Sequence, residues 1–561
     1  MLPTLYGEVP TNPVIMAACD SKYFIEHGPA FMYSCSDNDY SVHVHIINPT
    51  PQALSLAGIL AATSTGAVTY TFEDKDFEGF TWDQERTYYA CSRFLVLPEI
   101  LNSSRSVMVL DIDCMVMKHF MFPETPCGYF PRVPLEGTTG WEAEGTRVAA
   151  GVVYMNASAL SVANAVADYI SKSPLKWFAD QIALSRVFAG VSDENITTYD
   201  NQFMDWEFIE GTAIWTGKGP RKHDNPVYVA KKNSYPLRIE GVRNVLLKPR
   251  LDIPFKKFGL ERRNEAPLPE IRTWWEKFAQ GAAWGTSFQS EGSIDDDFLI
   301  EMPRWTFNDT IEDYFPNADF LVPHVERHNW GGGDNTKFYM QTVFPWLFTI
   351  DPQGWGGGAS FVEKFDPNDD RAPDAFQNMQ QWARSGESKF PQPRGTNFEA
   401  NFEFIFVPLQ LPHDETILYH SDVSCLEFVE SLCKWCHADS SRPVAVFKGH
   451  PVNLGAMTPL MKIIAQYNNV MYVTDHSIND LIPKASAVYV INSGVGQEAM
   501  LHDKPVVSFG RSEYQGAVIN AKLDDLNGAW DSVLNIDRKE MKRIYRNWYD
   551  WYLYEVVTHI K

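Results

Sequence analysis

No run of about 18 or more uncharged apolar residues occurs in the chain, so no segment is read as a membrane-crossing helix. The opening residues MLPTLYGEVPTNP lack both a basic start and an apolar stretch, which argues against a secretory leader. Cysteine is sparse: eight residues, at 19, 35, 91, 114, 127, 425, 433 and 436, with no framework spacing. Reduced thiols and a cytoplasmic location are the expectation. Cys433 to His437 spells the c-type haem attachment pattern, but it falls inside an amphipathic helical pattern over 425–437 and is read as core. Low-complexity tracts are missing, which excludes a disordered chain. Positive charge is also short, leaving a formal net charge of −23 that disfavours a nucleic-acid backbone as partner.

What is present is material for cores: 45% of the 561 residues are hydrophobic and 14% aromatic, and the length fits two large or three to four small domains. Against the acidic background, Lys218, Arg221, Lys222, Lys231 and Lys232 form a basic cluster suited to an anion. Residues 106–117, SVMVLDIDCMVM, join a short continuous apolar run to Asp111 and Asp113. Such a run suits a central parallel strand, and two carboxylates at its end can converge on one divalent cation where open α/β sheets bind ligands.

Around that stretch the pattern predicts strands at 13–19, 41–48 and 67–72, helices at 51–62 and 86–100, and the acidic pair after the fourth strand. Asp20 stands at a helix start, as a capping residue should. Further strands are expected at 128–134 and 148–156, separated by a Gly/Thr-rich loop over 136–145. Helices follow at 159–172 and from Asp180 and Gln181. This order is that of a doubly wound nucleotide-binding sheet.

Asp20 with Tyr23, the Asp111-x-Asp113 strand end, strand 151–156, the Asp180-Gln181 pair and the loop 216–219 follow the order of motifs in GT-A fold glycosyltransferases, which residues 10–235 resemble, the glycogenin-like group most closely. The resemblance implies that Asp20 and Tyr23 hold the nucleotide base and that Asp111 and Asp113 hold Mn²⁺ or Mg²⁺. It places Lys218 on the diphosphate and Arg93 among the donor-binding residues. Asp180 lies beside the transferring sugar, as acceptor-side ligand or catalytic carboxylate. One departure stands out: the glycogenin-like pattern has a metal-ligating His where this chain has Ile214, leaving His223 or water as the third ligand.

The middle of the chain is rich in Trp, Pro and Gly, with a charged, proline-containing linker at 262–269 and a further loop at 391–395. His324, Glu326 and His328 precede the loop 329–333, which is not the strand their metal-binding spacing requires. Residues 340–351 read as a helix followed by a short strand. Alternating strands and helices resume with strands at 402–410, 443–447, 470–473, 487–491 and 505–509 and helices at 457–466, 478–484 and 496–502.

At the ends of these strands, Lys448, His450 and Pro451, then Ser493, Gly494, Gly496, Glu498 and Ala499, then Lys504 to Val506, match the carboxyl-terminal half of a GT-B glycosyltransferase. Specifically, residues 400–515 resemble capsule polysaccharide synthesis proteins of the bacterial Kdo-transferase type, with Gln410 and Asp414 in the family's upstream positions. The resemblance implies a nucleotide sugar, typically CMP-activated, with His450 and Ser493 at its phosphate and Glu498 at ribose or base. Lys448 joins the donor-binding set, and Asp414 is the candidate catalytic group by position. The tail 538–554, dense in Trp and Tyr, suits a terminal helix packed across an interdomain cleft or, alternatively, a helix resting on a membrane surface.

The expectation is therefore an α/β chain with a GT-A domain over 1–260 and a GT-B-like Rossmann-type module over 270–561, its nucleotide-binding half at 400–530. The expected function is a two-module glycosyltransferase of capsule or other surface polysaccharide synthesis. It would use UDP- or GDP-sugars with metal at the first site, and a CMP-sugar without metal at the second. Its acceptor would be a glycan or glycolipid. The alternatives are one catalytic module beside a glycan-positioning one, or a nucleotide-sugar-binding scaffold without turnover.

Overall fold

A computed structural model describes residues 3–134, 136–250, 297–303, 306–323, 325, 327–344, 347–369, 374–386, 388–389, 392–393, 397–412, 414–450 and 455–559. The linker 262–269, His324, Glu326, Pro451 and most of the loop 391–395 lie outside these residues. The chain divides into two compact units. One comprises Met1–Val242 with Leu299–Pro316; the other includes Arg243–Lys248 and Asn317–Lys561.

The first unit is built on the expected parallel sheet. Val14–Asp20 pairs in parallel with both Ser41–Ile47 and Ser106–Leu110, and Val68–Glu73 continues the parallel set outward. Beyond Ser106–Leu110 the direction changes, because Val148–Asn156 and Cys127–Pro131 add antiparallel. The apolar residues of each strand feed two cores, one on each face: Val42, Val44 and Ile46 on one, Val14, Met16 and Val109 on the other.

Local chemistry sets the helix starts. The Asp20 carboxylate accepts from Tyr23 N at 2.7 Å, Thr50 caps Pro51–Thr63, and Thr81 with Gln84 forms a reciprocal capping box on Trp82–Ser104. The segment expected to be a plain loop at 136–145 carries a short helix, Gly140–Gly145. Its apolar content, one tryptophan and one alanine among glycines and glutamates, is too thin for periodicity to reveal it.

The second unit contains two sheets. In one, Asn244–Arg250, Asp319–Pro323 and Thr336–Gln341 run parallel, followed by antiparallel Leu347–Asp351 and Val557–His559. The helix expected near Met340 is thus a strand, Thr336–Gln341, hairpinned to its neighbour. Buried Phe338 and Tyr339 in a short apolar run fit either element, and pairing decides. The other sheet is six-stranded and wholly parallel, ordered Val470–Val473, Val444–Lys448, Phe404–Pro408, Ala487–Val490, Val506–Ser508 and Ile519–Asn520.

The terminal helix Arg538–Trp551 spends its aromatic face inside this second unit. Trp548, Tyr549 and Tyr552 are fully buried, with Trp548 stacked on Tyr552 at 4.5 Å. They lie in one core with Phe344, Phe404 and Val488, so these rings are not presented to a membrane surface. Tyr554 alone of the tail's six aromatic residues is exposed. Among the described residues no helix is long and apolar enough to cross a membrane, and all eight cysteines are buried free thiols.

Candidate functional site

In the first unit the side chains converge where the parallel strands end. Asp111 and Asp113 do not share a strand. They occupy the turn between Ser106–Leu110 and Cys114–Val116, closed by Cys114 N donating to Asp111 O at 3.0 Å. Gly151 on the adjacent strand faces the Asp111 carboxylate so closely that any Cβ would collide with it. Arg93, buried on Trp82–Ser104, ion-pairs with Asp111 and, at 3.1 Å, with Asp180 at the start of Ala179–Phe188. Both carboxylates raise the Arg93 pKa against the lowering effect of burial.

Asp113 is held differently. Lys222 Nζ stands 2.8 Å from its carboxylate and 3.2 Å from Tyr23 Oη, tying the base-side residue to the acidic pair. The Asp113 backbone oxygen accepts from Tyr228 Oη at 2.6 Å and from Gly217 N at 3.1 Å, and a Cβ on Gly217 would crowd both partners. Burial, and next the charge of Asp111, push Asp113 up to about 6 despite Lys222 and Arg93.

Asp20, Tyr23, Arg93, Asp111, Asp113 and Asp180 are therefore linked by contacts near the carboxyl ends of the central strands, with Lys222 and Arg93 as the cations between them. Lys218 is not joined to the pair; its ammonium lies 4.2 Å from the Trp206 ring centroid. Lys222 is the residue that sequence reasoning passed over, although it stood in the basic cluster. Its place on the turn Arg221–Asp224, four residues beyond Lys218, brings it back to Asp113.

The acidic pair suits a divalent cation of the Mg²⁺ or Mn²⁺ type, which binds through one or two carboxylates and takes its remaining ligands from phosphate and water. The mutual repulsion felt by Asp113 is what such an ion would relieve. A third protein ligand does not emerge. Ile214 is buried in a strand, His223 turns to Glu26 at 3.7 Å, and among the described residues no group of three or more His, Cys, Asp or Glu is placed to hold an ion.

In the second unit the predicted residues again gather at carboxyl strand ends. Gln410 donates to Asn492 Oδ1 at 3.0 Å and to Thr416 Oγ1 at 2.8 Å, and Thr416 donates to the Asp414 carboxylate at 2.7 Å. This chain of bonds ties Asp414, which caps Glu415–His420, to the turn carrying Ser493. Ser493 Oγ accepts from Val495 N and its carbonyl from Tyr514 Oη.

Lys448 ends its strand almost fully buried, and burial lowers its pKa. No carboxylate among the described residues pairs with it. His450 lies two residues further on, partly exposed. Glu498 is buried on Val495–Leu501; burial pushes it up to about 8 against a 3.5 Å bond from Ser388 Oγ and the nearby charge of Lys389. Its Oε2 has no hydrogen-bond partner among the described residues. The Cys433 and Cys436 thiols are buried in the core of Cys425–Ala438, and His437 accepts from Asn468 N at 3.2 Å, outside any metal-like cluster of the described residues.

The chain is 24% identical over 289 residues to Protein FixF of Sinorhizobium fredii, a match spanning 49% of this chain and 66% of that protein, just under two thirds. Among solved structures it is similar to the beta Kdo 2,7 transferase of KpsC from Thermosulfurimonas dismutans at 16% identity, 54% of this chain, 89% of that chain and a TM-score of 0.34. It is also similar to the galactosyltransferase LgtC at 14% identity, 39% of this chain, 95% of that chain and a TM-score of 0.30. Residues 369–546, which hold Asp414, Lys448, His450, Ser493 and Glu498, match the family model described as capsule polysaccharide biosynthesis protein.

Proposed function

We propose that the chain is a two-module glycosyltransferase of capsule or related surface-polysaccharide synthesis, each unit with its own nucleotide-sugar site. For the second unit the reading is carried by Lys448, a buried lysine at a carboxyl strand end with no carboxylate partner among the described residues, inside the stretch that matches the capsule family. A buried ammonium without a carboxylate suits a ligand that brings the negative charge, as a nucleotide phosphate does. Lys448, His450 and Ser493 would hold the leaving phosphate there, and Asp414, positioned through Thr416 and Gln410, is the candidate base.

In the first unit, Asp20 and Tyr23 would take the base and Lys222 the diphosphate. Asp111 and Asp113 would hold Mn²⁺ or Mg²⁺, which when bound supplies Lewis-acid stabilisation of the departing diphosphate. Lys222 exchanges its Asp113 partner for phosphate oxygens on donor binding. Arg93 pairs with Asp111 and Asp180 and orients them, leaving Asp180 beside the transferring sugar. The donors are UDP- or GDP-sugars at the first site and a CMP-sugar at the second, with a glycan or glycolipid as acceptor.

The test is ligand-induced thermal stabilisation of the full chain by UDP, GDP and CMP, with and without Mn²⁺. Stabilisation by a nucleoside diphosphate that Asp111→Ala removes, and by a cytidine nucleotide that Lys448→Met removes, supports two sites. No stabilisation by any of the three refutes the reading.

A further inference from the structure

Lys218, which makes no contact with Asp111 or Asp113, stands among groups that suit a further ligand. It leaves the end of the strand Ile214–Thr216, and Arg132 leaves the end of Cys127–Pro131. Both converge on Trp206, whose ring centroid lies 4.2 Å from Lys218 Nζ and 5.8 Å from Arg132 Cζ. Phe130 meets the same ring edge-on at 5.6 Å and fixes it in place. Arg221 is close enough to act on Lys218, and its own partner, Glu207 at 3.0 Å, is already engaged.

Neither Lys218 nor Arg132 has a carboxylate at ion-pair distance among the described residues. Glu207 acts on Lys218 from a distance and is itself paired with Arg221, so in a chain of net charge −23 these two half-buried cations lie together with no direct ion pair among the described residues. Burial and then the charges of Arg132 and Arg221 lower Lys218 to about 8, and burial lowers Arg132. A bound anion would reverse that repulsion, while the indole offers the apolar surface against which a pyranose ring packs. The strands that deliver these residues place them at the edge where Asp111 lies, since Pro131 and Phe130 pair with Val148 and Ala149, and Thr216 with Cys114.

We propose that Arg132, Trp206 and Lys218 form a subsite for the carboxylate of an acidic saccharide on the acceptor side of the first unit. This rests on the glycosyltransferase reading for the identity of the ligand as acceptor, though binding itself is measured without turnover. The subsite makes the first unit selective for an acceptor that carries a uronic or other sugar acid next to the position modified.

The experiment is titration calorimetry of the full chain at low salt with trigalacturonate and with its methyl ester, which keeps the sugar and removes the charge. Nucleoside-diphosphate thermal stabilisation is measured in parallel as a separate readout. The acid form binds and the ester binds roughly tenfold more weakly or worse, the loss of one charge-assisted contact. Lys218→Met and Arg132→Met each weaken the acid form by a similar factor, Lys218→Arg retains it, and diphosphate stabilisation is unchanged in all three. Equal binding of acid and ester, no binding of the acid, or indifference to both methionine substitutions overturns the proposal. So does a Lys218→Met variant that loses diphosphate stabilisation and keeps trigalacturonate, because that returns Lys218 to the donor. Absence of diphosphate stabilisation in the unaltered chain counts against the donor reading alone and leaves the saccharide result to stand or fall by itself.

Discussion

The two units solve opposite electrostatic problems with similar sheets. In the first, carboxylates crowd the strand ends, and protein cations answer them: Arg93 bridges Asp111 and Asp180, and Lys222 takes Asp113. In the second, Lys448 is buried with no carboxylate paired to it among the described residues, and burial raises the pKa of Glu498. On the proposed reading, the acidic turn of the first unit would suit a metal-assisted diphosphate and the buried lysine of the second a phosphate, both at carboxyl strand ends.

The largest effect that would sharpen this contrast is loss of metal-stimulated transfer. Asp111→Ala with Asp113→Ala lowers turnover at the first site by about 100-fold or more in a donor-release assay, and added Mn²⁺ does not restore it. Next, Arg93→Ala leaves buried Asp180 without its cation, and destabilises the first unit by about 3 kcal/mol or more, read from the chemical denaturation midpoint of the full chain. Trp548→Ala removes a fully buried ring from the second unit at a cost of about 3–5 kcal/mol, and leaves the first unit's diphosphate stabilisation in place. If either of the last two lesions unfolded both units together, the comparison of separate units would break.

A separate test concerns pH. Glu498 is raised to about 8 and Glu513 to about 6 in the folded state, in each case mainly by burial. The folded chain therefore holds protons that the unfolded chain releases above its ordinary carboxyl range, so stability is greatest near pH 4.5 as far as these groups go. It declines as pH rises through about 6 and 8. A melting series from pH 5 to 8.5 shows this decline, and Glu498→Gln flattens its upper part.

Legibility differed between strand and side chain. The parallel strands were readable because continuous runs such as 107–110 and 445–447 are buried on both faces and permit little else. Asp20 as a helix cap was equally plain, since the cap and the site residue are the same group. Tertiary return of the chain was not readable. Lys222 and Lys218 differ by one helical turn, and only the fold of 214–224 shows that the former reaches Asp113 while the latter lies on Trp206. Pairing likewise turned the expected helix near Met340 into a strand, and core packing drew Trp548 and Tyr552 inward. In each case a local pattern compatible with two outcomes was decided by contacts far away in sequence.

The most direct test of two independent sites is nucleotide release from UDP-, GDP- and CMP-sugars by the full chain, by Asp111→Ala with Asp113→Ala, and by Lys448→Met, with an acidic oligosaccharide acceptor present. The prediction is that the double substitution abolishes release from a nucleoside-diphosphate sugar and spares the CMP-sugar, while Lys448→Met does the reverse. Loss of the same release in both variants would contradict it.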